Sequence, residues 1–263
     1  MSVKPEYLHM YFSFENAMKF LESLKIKLSS PSNFNDPFEF LPRMKNTGQL
    51  LLGTHQDIKE VSTNAIIDPF YDPVSKLSEH VKSSMNRKAY KKIEEYTNRY
   101  RIACFSEENN NILLWSHYGD KHRGVVITFK NAFEYFENNI LKVEYSDLRI
   151  KIPFLDFILP DKENIVHKNW ERNILITKSD CWKYEKEWRL IKTKENCLEE
   201  NGMSFYPIVK ECISSITLGC CISEENKRTL KEYMNNHSLG HIYLQQCVPL
   251  DNNFRLTTVI TKM

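Results

Sequence analysis

Glycine is scarce, with seven in 263 residues. The chain contains no G-x-x-x-x-G-K-[ST] and no G-x-G-x-x-G. The two commonest backbone cradles for phosphate are therefore missing, which argues against a P-loop nucleotidase and against a Rossmann dinucleotide site. H-E-x-x-H and G-x-S-x-G are missing too, and with them the simplest zincin and serine-hydrolase readings. An excess of charge is also lacking: 36 Lys and Arg against 34 Asp and Glu leave +2. No global field draws the chain to nucleic acid or to an anionic membrane, so any such binding needs a local patch. No apolar run approaches the roughly 20 residues of a membrane span. The opening MSVKPEYLHMYF, broken by Lys4, Pro5 and Glu6, lacks the apolar core of a signal peptide. The seven cysteines form no C-x-x-C pair; an odd, scattered set reads as reduced thiols in a cytoplasmic protein. Cys220 and Cys221 are adjacent in an apolar stretch, which predicts that both are buried.

What is present reads as globular. Hydrophobic residues make up 41% and charged residues 27%, unlike a disordered chain. A chain of this length buries roughly three quarters of its unfolded surface and needs no disulfide or metal staple. Residues 7–11 alternate and predict a strand. Ser13 caps a helix with Ala17, Phe20, Leu21 and Leu24 on one stripe, and residues 25–29 alternate again. Residues 30–40 combine turn formers with three phenylalanines, as a packed-down loop does. Residues 56–101 read as helical, broken near Pro69 and Pro73, with Met85, Ala89, Ile93, Tyr96 and Tyr100 on one stripe. Strands follow at 101–106, 124–129, 141–145, 182–192, 213–221, 242–248 and 255–260. A short helix or turn is predicted at 111–118, and helices at 154–176 with a break at Pro160 and at 224–237. There is no repeat and no Gly/Ser linker. Short strands irregularly spaced between helices predict one α+β domain over residues 1–263, not a doubly wound sheet.

Residues 182–189 are the most informative. Read as a strand, they put Lys183, Glu185, Glu187 and Arg189 on one face. Trp182, Tyr184, Trp188 and Leu190 fall on the other, with Lys186 the exception. Glu185 and Glu187 stand about 6.5 Å apart on such a strand. Carboxylates that close raise one another's pKa and suit a reaction that develops positive charge and positions a hydroxyl, as glycosidic cleavage does. A solvent-facing edge strand, with Lys183 and Arg189 neutralising the glutamates, shows the same pattern. Residues 104–129 place Ser106, Trp115, Ser116, His117 and Tyr118 between two buried strands, where sites gather. His117, Asp120 and His122 match no standard metal spacing, so no metal is expected. Asn35 and Asp36 can close an Asx-turn, and their loop either shapes a ligand pocket or simply packs. Residues 82–101 interleave Arg87, Lys88, Lys91, Lys92 and Arg99 with Tyr90, Tyr96 and Tyr100. That is a nucleic-acid face or, with Glu94 and Glu95, a solvated helix surface.

YFSFENAMKFLE, KLSSPSNFNDPFEF, CFSE followed by LLWSHYGDKHRGVVITF, and WKYEKEWRLI together resemble the bacterial domain-of-unknown-function family 2971. The resemblance runs over about residues 7–191 and leaves 192–263 as closing strands and one helix. That family names no activity. A more distant resemblance does: strand, helix and strand at the start, then E-x-E on a later strand, look like the ADP-ribosyltransferase superfamily. It implies two small mixed or antiparallel sheets forming a cleft, with surrounding helices, that holds NAD as a consumed substrate. An Arg or His on the first strand contacts the dinucleotide, and a Ser or Tyr on a middle strand supports the nicotinamide ribose. A later glutamate binds the ribose hydroxyl and stabilises the oxocarbenium ion as nicotinamide leaves.

Carried onto this chain, Glu187 takes that last role and Glu185 the first E-x-E position, which in some members helps activate the acceptor. His9 takes the first-strand role, with Tyr11 second on the same face. Ser106 takes the middle role; CFSE departs from the usual Ser-Thr-Ser, so Tyr118 and His117 stand as alternatives. Trp115 or Phe34 is the aromatic for stacking on nicotinamide or adenine. Asn35 and Arg189 complete the substrate-binding candidates. The expectation is an ADP-ribosyltransferase or NAD glycohydrolase, a cytoplasmic toxin or phage-defence effector without membrane association. The acceptor is left open among protein, nucleic acid, a small molecule and water, and an antitoxin or defence-system component is the candidate partner. On this reading Glu187→Gln abolishes activity and leaves thermal stability intact. The alternative is a non-catalytic nucleic-acid- or protein-binding module on the same fold. A carboxylate–metal nuclease lacks a matching Asp/Glu/Lys spacing.

Overall fold

Ser13 is where the chain first turns. Strand β1 (Tyr7–Phe12) ends there, and Ser13 Oγ accepts a hydrogen bond from Asn16 N at 3.3 Å, capping α1 (Phe14–Ser23). Leu24 closes the helix in the left-handed conformation (φ 51°) and turns the chain into β2 (Lys25–Leu28). The structure, a computed structural model, describes residues 4–45, 87, 90–137, 139–153, 165–237 and 239–261. Most of the helix predicted at 56–101, with Lys82, Met85, Lys88 and Ala89, lies outside them, as does the Pro160 break.

The remaining elements are β3 (Arg43–Lys45), β4 (Tyr100–Ser106), α2 (Ile112–His117), β5 (Val125–Lys130) and α3 (Ala132–Tyr135). Then come β6 (Ile140–Lys142), β7 (Glu144–Ser146), β8 (Lys151–Pro153), α4 (Ile165–Ile176), β9 (Thr177–Ser179) and β10 (Glu187–Thr193). The chain continues through β11 (Leu198–Glu200), β12 (Met203–Pro207), β13 (Ile213–Leu218), α5 (Glu224–Asn236), β14 (Tyr243–Pro249) and β15 (Leu256–Ile260). These elements make an α+β chain. They divide into two compact units, one of Met1–Asn33, Tyr100–Tyr145 and Asp180–Met263, the other of Phe34–Arg99 and Ser146–Ser179.

The first unit is built on an eight-stranded sheet in the order β15-β14-β13-β5-β1-β4-β10-β6. Its neighbours run antiparallel except β13 and β14, a parallel pair joined by α5, the crossover that parallel strands require. A three-stranded sheet, β11-β12-β2, accompanies it. The sheets are thus larger than the two small ones that the superfamily resemblance implies. Strands β13, β14 and β15 extend the main sheet beyond β5, and spacing alone cannot say which sheet a short apolar strand joins. Alternation splits the main sheet cleanly. Leu8, Met10, Phe105, Ile127, Phe129, Trp188, Leu190 and Ile216 pack with Phe20 and Leu21 of α1 and Leu230 and Met234 of α5. Burying each such side chain stabilises by about 1.5–3 kcal/mol. The opposite face carries the polar residues.

In the second unit β3 pairs with β8 in parallel. Phe34 meets Phe40 edge-on at 5.0 Å. The Asx-turn is closed by Asp36, whose Oδ1 accepts from Phe38 N at 2.8 Å; Asn35 is exposed. Residues 90–97 are helical, and Tyr100 belongs to β4 opposite Thr193, not to the helix stripe. The β propensity of the following Arg-Ile-Ala-Cys-Phe takes Tyr100 into the strand.

Between α2 and β5 the chain makes a tight turn with three consecutive left-handed residues, Asp120 (φ 47°), Lys121 (53°) and His122 (66°). Gly124 ends it where a Cβ would lie 2.0 Å from Phe12 O. Backbone cannot yield there as a side chain would. Gly124→Ala is therefore expected to destabilise by about 2 kcal/mol or more, measured as a lower midpoint in urea unfolding; an unchanged midpoint would contradict this packing.

Candidate functional site

Strand register assembles the site. His9 on β1 faces Thr128 on β5 and Ser106 on β4, and Ser106 faces Glu187 on β10. Directly opposed residues share a sheet face, so Thr128, His9, Ser106 and Glu187 form one polar row across four adjacent strands. Ser215 on β13 continues it, opposite Thr128. Every member is buried, so each polar group needs a partner.

His9 Nδ1 and Thr128 Oγ1 are 3.0 Å apart. Burial lowers the His9 pKa to about 4, opposed by the Glu108 charge, so the imidazole is neutral near pH 7. Ser106 Oγ donates to Glu185 O at 2.5 Å and accepts from Glu108 N at 2.9 Å. It ties the turn before β10 to the loop after β4. Glu187 is 2% exposed and Arg189 0%. Arg189 Nε donates to Glu187 Oε1 at 2.7 Å and Nη2 to Oε2 at 3.3 Å, a charge-assisted bidentate pair. Glu187 N donates to Tyr145 Oη at 2.8 Å.

The segment before β10 corrects the strand predicted at 182–192. Asp180–Glu185 is a 3-10 helix, Lys186 is left-handed (φ 43°), and the strand begins at Glu187. Lys186, the one residue off the alternating pattern, marks the break. Glu185 is buried and its Oε1 accepts from Tyr118 Oη at 2.8 Å. The two glutamates are thus set on different elements, Glu185 reaching Tyr118 from the 3-10 turn and Glu187 reaching Arg189 on β10, not on one strand face. Nor is β10 a solvent-facing edge: it lies between β4 and β6 with its charges buried. Glu187→Gln would remove the charge beside a fully buried guanidinium and cost about 3 kcal/mol or more, so its thermal stability is not expected to stay intact.

Tyr11 shares the face of His9 and donates from Oη to Glu108 O at 2.8 Å; burial pushes its pKa up. Trp115 is fully buried. Its Nε1 donates to Asn109 O at 2.9 Å, Tyr11 meets it edge-on at 5.4 Å, and His122 stacks parallel at 6.4 Å. In this conformation its ring is packed by Tyr11 and His122. His117 is exposed beside Trp182 at 6.2 Å; of the α2 pair, Tyr118 is the one brought to a glutamate. The row gathers His9, Ser106, Glu187 and Arg189, with Tyr11, Glu185 and Tyr118 tied to its flanking loops. His117 lies apart from the row, and Asn35 belongs to the second unit. Sequence reasoning missed Thr128, although a lone hydroxyl inside the apolar run GVVITF was a usable signal, and it missed Ser215 and Tyr145, which carry none.

The second unit has a cavity of about 200 Å³ lined by Asp36, Phe38, Glu39, Arg149 and Lys178 among others. Lys178 and Glu39, both buried, stand 3.9 Å apart. In the same unit Tyr96 packs on Trp170 at 5.4 Å and Arg99 covers Tyr96 at 5.9 Å, while Lys91 pairs with Glu95 at 3.9 Å. In the described part of the helix Tyr96 is thus held in packing, while Arg87, Lys91 and Lys92 are exposed. Among the described residues no group of three His, Cys, Asp or Glu stands ready to hold a metal ion, and no helix is long and apolar enough to cross a membrane.

Residues 114–190 match the family described as protein of unknown function, DUF2971. The match runs from Leu114 within α2 through the 119–124 turn to Leu190 in β10, which supports the family resemblance over the segment that holds Trp115, Tyr118, Glu185 and Glu187. No curated protein and no solved structure matches the chain.

The depressed His9 pKa makes stability depend on pH. The unfolded imidazole protonates near pH 6.5 and the folded one near 4, so between those values the unfolded state binds more protons. The contribution is complete above about pH 6.5 and is lost as pH falls toward 4, about 3 kcal/mol over the window. Urea unfolding at pH 4.5 and 7.5 should show this fall in the wild type and a smaller one in His9→Gln; equal falls would remove His9 as its source.

Proposed function

We propose that this chain is an NAD-consuming ADP-ribosyltransferase or NAD glycohydrolase with Glu187 as the catalytic carboxylate. The observation that carries the reading is the order of the polar row: a histidine, a serine and a glutamate in direct register on three adjacent strands. These residue types, in this strand order, are those the superfamily resemblance calls for. In the proposed reaction the Glu187 carboxylate accepts a ribose hydroxyl and faces the positive charge that develops as the nicotinamide–ribose bond breaks. Arg189 keeps that carboxylate ionised and aimed. His9, neutral, offers a hydrogen bond without adding a positive charge next to a developing cation. Ser106 acts as a positioning residue, because its hydroxyl holds Glu185 and Glu108. The row is closed in this conformation, so substrate entry requires its cover to move. The reading carries with it a cleft for NAD, cytoplasmic action as a toxin or phage-defence effector, a protein or nucleic-acid acceptor, and an antitoxin or defence-system partner.

Nicotinamide release from NAD, with and without cell extract, tests the reading. Wild-type protein should release it, and Glu187→Gln should lose two to three decades of rate, about 3–4 kcal/mol of transition-state stabilisation. Glu187→Asp preserves the charge beside Arg189 while withdrawing the carboxylate by one methylene, so it separates lost chemistry from lost folding; it too should fall at least about tenfold. A fully active Asp variant, or a folded wild type inert under every condition, would end the proposal. Salt-sensitive binding of RNA or DNA by such an inert protein would put the binding-module reading in its place.

A further inference from the structure

Cys220 and Cys221 follow β13 where it reaches the strained turn. Gly219 N donates to Gly124 O at 3.0 Å and Cys221 N to His122 O at 2.9 Å. A Cβ on Gly219 would lie 2.1 Å from His122 O, so the two segments are in backbone contact. The Sγ atoms of Cys220 and Cys221 are 3.9 Å apart. Cys221 is exposed, against the expectation that both are buried, because its side chain leaves the apolar cluster that Cys220 joins. Cys220 is half-buried against Trp115, Val126, Cys247 and Leu256.

We propose that Cys220 and Cys221 are a redox-modification site, a vicinal dithiol that a small-molecule disulfide oxidises to a ring, and that ring closure displaces the 119–124 turn and the Trp115–Tyr11 wall. The proposal goes beyond NAD turnover and does not depend on it. Cys221, the accessible thiol, attacks one sulfur of the disulfide as its thiolate; the disulfide bond breaks, a mixed disulfide forms on Cys221, and one small thiol leaves. Cys220 then attacks Cys221 Sγ, forms the Cys220–Cys221 bond and releases the second small thiol. Two electrons pass from the cysteines to the disulfide, and both cysteine protons end on the released thiols. Cys221 is the exposed sulfur, which places it first; burial, then the contact with the Cys221 thiol, raises the Cys220 pKa in the same sense.

The consequence is local geometry. The sulfurs must close from 3.9 Å to about 2 Å, and adjacent residues bring their Cα atoms closer than a relaxed disulfide prefers. The peptide between them must turn, and the Cys221 amide bonded to His122 O lies in its path. That carbonyl sits at the end of three left-handed residues, a conformation held only by its surroundings. His122 stacks on Trp115, and Trp115 braces Tyr11, which shares the strand face of His9.

Oxidised glutathione in excess, followed by peptide mapping of the full chain, tests the chemistry. The peptide holding residues 220–221 should lose two hydrogens, about 2 Da, and regain them with dithiothreitol. Cys220→Ser should trap a stable glutathione adduct on Cys221, and Cys221→Ser should leave Cys220 unmodified. A stable adduct on wild-type Cys221, a Cys220–Cys247 bridge, or two unreacted thiols would overturn the site. Hydrogen exchange of the amides at 120–123 should rise on oxidation in the wild type and not in Cys221→Ser; no change would overturn the coupling.

Discussion

Glu187 and Arg189 are two residues apart on one buried strand and are joined by paired hydrogen bonds. Moving either charge out of water costs several kcal/mol, so the pair is tolerable only with good geometry. This makes it a constraint on register. A slip of one residue would turn Trp188 and Leu190 out of the core and Glu187 and Arg189 into it, exchanging apolar for charged contacts at every position. The strands on either side inherit that register. Ser106 stands opposite Glu187, and His9 opposite Ser106, so the pair on β10 fixes the polar row two strands away.

The two faces of the main sheet follow from this division. Helices α1 and α5 cover the apolar face with ordinary packing. The polar face is closed by loops whose backbone groups the row itself holds. Ser106 and Tyr11 both take hold of Glu108, through its N and its O respectively, and Trp115 holds Asn109 O. Lys186 Nζ pairs with the Glu108 carboxylate, tying the turn before β10 to the same residue. A loop held at four points by different elements has little freedom of its own. Movement there is more readily transmitted from a strained neighbour, such as the 119–124 turn, than generated within it.

Much of this was legible in the chain. The alternation of β1, the Ser13 cap, the apolar run of β5 and the capped α5 are each set by local chemistry and stand near their predicted bounds. The candidate residues His9, Ser106 and Glu187 were legible individually; their alignment in one row was not, because register depends on contacts between distant segments. Alternation across 182–192 failed for a specific reason. Trp, Tyr and charged residues at every second position satisfy a 3-10 turn as well as a strand, and only Lys186 signalled the change. Trp115 is a different case: that it is fully buried, packed by Tyr11 and His122, depends on distant segments and is not written in its own stretch of sequence.

The bidentate pair also bears on how a closed row would act in the proposed reaction. Its two hydrogen bonds are unequal, 2.7 Å to Oε1 and 3.3 Å to Oε2, and the longer is the weaker. A substrate hydroxyl that displaced the Arg189 Nη2 contact would gain Oε2 while Oε1 stayed anchored through Nε. The carboxylate would then keep its charge and its aim during the exchange, which is what stabilising a developing cation requires. Neutral His9 fits the same economy of charge. A protonated imidazole in that row would oppose the cation, and burial keeps the proton off until the pH approaches 4. A row in which arginine holds the carboxylate while the histidine stays uncharged carries one buried ion pair, and Glu187 is its negative member.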